Sequence, residues 1–152
     1  MSIAFPRQCV LDASVLIKYV VPEPETPVVR RLLRALLTDE DAGVYAPDLL
    51  YIECANILWK KVRRGEVDAI TATESLEDLA TIDFDITPVP DLISPALRLA
   101  CEQDISAYDA CYVALAHRLG VPLITADERL VNHLSGSPYL LHTLAQCAPT
   151  IP

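Results

Sequence analysis

The chain has 152 residues, of which 52% are apolar and 22% charged, a balance that suits one packed domain over residues 1–152 and argues against a disordered segment. A net charge of −9 points away from a non-specific DNA binder, which carries a basic surface. No apolar run is long enough to cross a bilayer and Met1 to Arg7 lacks a secretory-signal pattern, so the expected home is cytoplasmic, with no membrane partner.

In chain order, residues 9–11 read as a short buried strand and residues 13–20 as a helix stopped by Pro22 and Pro24. Thr26 followed by Pro27 marks a helix start, and Val28, Val29, Leu32, Leu33, Leu36 and Leu37 recur at helical spacing. After a polar loop, Val44, Tyr45 and Ala46 form a second strand. Asp48 is expected to cap a long helix that stops near Gly65. Residues 68–81 form another helix, amphipathic through Ile70, Leu76, Leu79 and Ala80. Phe84 to Ile86, with the residues around Val89, make a third strand, and Asp91 opens a helix to about Gln103. Ser106 opens the next helix, which Gly120 ends. Residues 122–125 are a fourth strand, residues 128–134 a short helix and residues 139–144 a candidate last strand. Strands without alternation, separated by helices, imply an α/β fold: a parallel sheet of about four to five strands covered on both faces. In such a sheet, functional groups gather at the carboxyl ends of the strands.

The acidic residues fall where that rule directs attention. Asp12 directly follows the first strand and Asp127 follows the fourth, although each also reads as a helix N-cap. Glu53 stands in the run LLYIECANILW, where it and Asn56 are the plainly polar residues and share one helix face. An ionised carboxylate in so apolar a helix is costly unless it is paired or bound to a cation. Asp109 lies in the first turn of the helix opened by Ser106, where a capping box is the economical alternative. Brought to one point, Asp12, Glu53, Asp109 and Asp127 would repel one another, and a divalent cation would relieve them. Carboxylate oxygen suits Mg²⁺ or Mn²⁺ rather than zinc, in an ion-assisted phosphodiester hydrolysis. Ser14 and Thr125 sit two residues from Asp12 and Asp127, within reach to orient a carboxylate or water, though turn or cap chemistry explains each as well.

Competing chemistries lack their motifs. There is no phosphate-binding glycine loop and no nucleophile elbow. The three histidines share no ligand spacing. The five cysteines contain no paired motif and read as apolar fillers of a reduced protein. Two basic groups, Arg30-Arg31-Arg34 and Lys60-Lys61-Arg63-Arg64, read as solvated helix faces at least as well as phosphate contacts.

Four stretches in order, VLDASVLIKY (residues 10–19), PDLLYIECANIL (47–58), SAYDACYVALA (106–116) and LITADERL (123–130), resemble the PIN domain and, within it, the VapC-like toxins. The resemblance implies a Rossmann-like parallel sheet and a metal-dependent endoribonuclease cleaving single-stranded RNA. It maps the four acidic ligands to Asp12, Glu53, Asp109 and Asp127, the small polar residue to Ser14 and the helix asparagine to Asn56. It also implies a cognate antitoxin and a homodimer. The alternative is a PIN module without catalysis, acting as a protein- or RNA-binding scaffold; a nuclease acting on structured DNA is a further variant, disfavoured by small size.

Overall fold

The computed structural model describes residues 5–147. The stretch Met1 to Arg7, read above as carrying no secretory signal, lies largely outside them, as does the end of the expected domain. The elements run β1 (Gln8–Leu11), α1 (Ala13–Val20), α2 (Thr26–Thr38), β2 (Gly43–Pro47), α3 (Leu49–Arg63), α4 (Ala69–Ala80), β3 (Asp85–Thr87), α5 (Ile93–Gln103), α6 (Ala107–Leu119), β4 (Leu123–Thr125), α7 (Glu128–His133) and β5 (Leu141–Thr143).

The strands form one five-stranded sheet in the order β3-β2-β1-β4-β5, and every pairing is parallel. Successive strand residues face opposite sides of a sheet. Cys9, Val10 and Leu11 are all fully buried, so helices cover both faces of the central strand. The chain first builds outward from β1 through β2 to β3, then returns to the other side of β1 with β4. The order therefore reverses between β1 and β4, which opens a crevice beyond their carboxyl ends.

Sequence signals account for most boundaries. Gly120 takes the left-handed conformation (φ 67°) that ends α6, and Ser106 begins that helix by accepting a hydrogen bond from the Asp109 amide. Other expectations are corrected. The Asp48 carboxylate does not cap α3; it accepts from the backbone N–H of Val89 and ties the start of α3 to the segment after β3. That segment, Val89–Asp91, is a single 3₁₀ turn rather than strand, and α5 begins after it. Thr26 lies inside α2 rather than capping it, and its hydroxyl donates to the Lys18 carbonyl. On α4 the buried face is Ala72, Ser75 and Leu79, while Ile70 and Ala80 are exposed. No helix among the described residues is long and apolar enough to cross a membrane. The cysteines there are free thiols, buried except for Cys101.

Candidate active site

All four singled-out acids lie at the carboxyl edge of the sheet, because each sits near the N-terminus of a helix that leaves that edge. Asp12 joins β1 to α1, Asp127 joins β4 to α7, Glu53 lies in the second turn of α3, and Asp109 in the first turn of α6. The first two flank the crevice where strand order reverses.

Asp12 is the most enclosed of them, at 9% exposure. Its backbone N–H donates to the Ile124 carbonyl, which extends the β1–β4 ladder by one rung and fixes the residue against β4. The side chain makes no capping bond to α1. Instead its Oδ2 accepts two hydroxyls, from Ser14 Oγ and from Thr125 Oγ1, each at 2.8 Å. The same two hydroxyls are anchored in turn. Ser14 Oγ accepts from the Ala126 amide at 3.0 Å and Thr125 Oγ1 from the Asp127 amide at 3.1 Å. Burial drives the Asp12 carboxyl above its ordinary range, and the two hydroxyl bonds only partly offset this.

Glu53 is half-buried, and the Tyr112 hydroxyl donates to its Oε2 at 2.6 Å. Its carboxyl is raised by desolvation, pulled back by that hydroxyl, and raised again by the charges of Asp12 and Asp109. Asp109, also half-buried, is raised by desolvation and by the charges of Asp12 and Asp127, against a hydrogen bond with Ser106. Glu53 and Asp109 thus lie near enough to the other acids to be repelled by their charges. Asp127 is the exposed member and its Oδ1 caps α7 by accepting from the Leu130 amide. Capping thus describes Asp127 but not Asp12.

The helix reading of Glu53 needs correction in one respect. Its apolar neighbours do not enclose it: Ile52 and Trp59 are 66% and 52% exposed, and Asn56 is exposed beside them. Together with Tyr108 at the start of α6 they line an open groove with Glu53 in its wall. Tyr112 was not anticipated from the sequence. The usable signal was present, since it carries the sole hydroxyl in the apolar stretch 110–116 and lies one turn beyond Asp109.

Two observations bear on a cation. None of the four carboxylates takes part in an ion pair among the described residues. Equally, no three His, Cys, Asp or Glu side chains there are grouped tightly enough to hold a metal ion as they stand. The donors form an open, all-oxygen set rather than a closed cage. That chemistry fits Mg²⁺ or Mn²⁺, since Mg²⁺ keeps several waters and needs only one or two carboxylates plus substrate phosphate.

Comparison with known proteins places this architecture among others. Residues 9–133 match the model of the PIN domain. The chain is 32% identical over 125 residues to Ribonuclease VapC3 of Pyrobaculum aerophilum, covering 81% of this chain and 92% of that protein. It is 34% identical over 124 residues to Ribonuclease VapC1 of Mycobacterium tuberculosis, covering 81% and 88%. Among solved structures, PAE2754 from P. aerophilum superposes with a TM-score of 0.68 at 25% identity, covering 91% of this chain and 84% of that one. VapBC2 from Rickettsia felis, bound to a DNA fragment from its promoter, superposes with a TM-score of 0.65 at 12% identity over 90% and 98%, a likeness of fold alone.

Proposed function

This chain belongs to the PIN-domain family, with VapC ribonucleases as its relatives, and on that footing we propose that it is an endoribonuclease acting as the toxin of a toxin–antitoxin pair. The single observation that carries the reading is the set of carboxylates Asp12, Glu53, Asp109 and Asp127 facing one crevice without an internal counter-ion.

We assign these four as the residues that hold Mg²⁺ or Mn²⁺. When bound, the ion supplies positive charge against the phosphoryl oxygens and activates water. The chain's own contribution is geometric and electrostatic. Asp12 is held at the floor of the crevice by Ser14 and Thr125, so its rotamer is set before substrate arrives. Asp109 and Asp127 stand at the more open rim, where a phosphodiester enters from solvent. The N-terminal ends of α3 and α6 point to the same edge, and the positive ends of their helix dipoles favour an anion there. The exposure of Asn56 beside Glu53 supports a contact with substrate rather than with a buried carboxylate.

The partners follow from the same family reading: single-stranded RNA as substrate, a cognate antitoxin as inhibitor, a second copy of the chain as dimer mate, and the cytoplasm as the compartment. The exposed apolar groove of Ile52, Trp59 and Tyr108 supports a protein-binding surface. A cleavage assay tests the proposal. Single-stranded RNA should be cut in Mn²⁺ or Mg²⁺ and left intact in excess EDTA, and expression without a partner should arrest growth. Cleavage that persists in EDTA overturns the metal assignment; no cleavage and no growth arrest favour a non-catalytic scaffold.

A further inference from the structure

We propose that Tyr112 is a positioning residue of the acidic centre: its hydroxyl occupies Oε2 of Glu53 and leaves Oε1 as the oxygen presented to a cation. The inference rests on the metal-centre reading above and adds to it a residue of the core that touches no substrate.

The geometry is specific. Tyr112 is 1% exposed and ranks with the largest fully buried side chains, so its ring is fixed by packing on all sides. A phenol so placed has little freedom to search for partners, and a buried hydroxyl needs one. Its partner is the Glu53 carboxylate, 59 residues away in sequence and on another helix, at 2.6 Å. A distance this short marks a hydrogen bond strengthened by the charge on its acceptor. Glu53 itself is half-exposed and has a flexible side chain with three rotatable bonds, so without a tether its carboxylate would sample several rotamers. No other hydrogen bond to the Glu53 carboxylate is made among the described residues. Tyr112 also lies one helical turn beyond Asp109 on α6. One helix therefore brings both an acid of the centre and the clamp on a second acid carried by α3, and their relative placement is set by a single rigid element.

Asp12 is treated in a parallel way, with hydroxyls of Ser14 and Thr125 on Oδ2. The difference is that Asp12 has two such hydroxyls, one of them local, whereas the Glu53 carboxylate has the Tyr112 hydroxyl alone, brought to it from another helix.

The test is a double-mutant cycle read by Mn²⁺ binding, measured calorimetrically in wild type, Tyr112→Phe, Glu53→Gln and the double variant. Phe keeps the ring and its packing, and a thermal melt verifies folding. Tyr112→Phe should weaken Mn²⁺ binding by about tenfold, the lower end for loss of a partner behind a metal ligand. In the Glu53→Gln background the same change should add no further loss. Unchanged affinity in Tyr112→Phe, or an equal loss in both backgrounds, overturns the proposal while leaving the metal centre standing. A wild type that binds no Mn²⁺ removes the metal centre and the proposal with it.

Discussion

Two groups of carboxylates in this molecule meet opposite fates. In the loop between α1 and α2, Glu23 lies between Lys18 at 2.6 Å and Lys61 at 3.0 Å, and the lysines reach on to Glu25 and Glu66. Partial burial works against the ionised form of Glu23, but the two ammonium groups overcome it and the carboxyl is held below its ordinary range. At the crevice, Asp12, Glu53 and Asp109 have no such neighbour; burial drives all three up, and the charges of nearby acids add to it at Glu53 and Asp109. The knot fastens α1 to α3 and is electrostatically complete. The crevice acids have no basic partner among the described residues. The same residue type is thus ion-paired or left without a counter-charge according to whether the fold brings lysine to it.

The sharpest way to break this contrast is to neutralise one acid in each group. Asp12→Asn should reduce RNA cleavage by at least ~100-fold while the protein remains folded, because shape and hydroxyl contacts survive but the charge is lost. Glu23→Gln should leave cleavage close to wild type. Equal activity losses in both variants would show the two regions are not distinct.

The next largest effect is thermal. Saturating Mn²⁺ at neutral pH, at about 100 times its dissociation constant, should stabilise wild type by about 2.7 kcal/mol. For a chain of this size that is a rise in Tm of roughly 5–10 °C. Asp12→Asn should show a much smaller rise in the same scan.

Smaller still is the cost of opening the knot. Glu23→Gln leaves two lysines without their shared partner and should lower stability by about 1 kcal/mol, read from urea unfolding. The pH dependence of the two groups also has opposite sign. Glu23 has a lowered folded-state pKa, so its contribution is present above its unfolded value of 4.5 and is lost as pH falls through the lower folded value. Asp12 has a raised one: without metal, its carboxyl favours folding below its unfolded value of 3.8, and that contribution is lost as pH rises to the folded value. Metal-free Asp12→Asn should therefore be less sensitive than wild type to a pH increase across the mildly acidic range, as measured by melting at a series of pH values.

The smallest effect is expected at Asp127→Asn on stability. Asn caps a helix about as well as Asp, so the α7 cap survives and the melt should shift by little. Its cleavage should still fall, since the exposed rim charge is gone. A large loss of stability there would show that Asp127 acts as a structural cap before all else.

Local patterns in the chain carried the order of elements and the positions of the acids. The bounds of α1, the Ser106 start and Gly120 stop of α6, and Asp12 and Asp127 just beyond two buried strands all follow from short-range chemistry: apolar runs, caps and left-handed glycine. The misreadings share a cause. Ile70 and Ala80 fit a helical period as well as Ala72 and Ser75 do, and only the neighbour that α4 packs against selects the face. Asp48 has the chemistry of a cap, yet Val89, 41 residues on, claims its carboxylate. Ile52 and Trp59 suggested an enclosed helix, but nothing among the described residues covers them.

From the amino-acid order alone came the α/β class, the parallel sheet and the four acids worth watching, because these depend on interactions within a turn or a strand. Which acids lack a lysine, which hydroxyl holds Glu53, and where the crevice opens were decided by tertiary packing. Each depends on atoms far apart in the chain, and electrostatic and hydrogen-bond energies turn on ångström distances that periodicity does not encode.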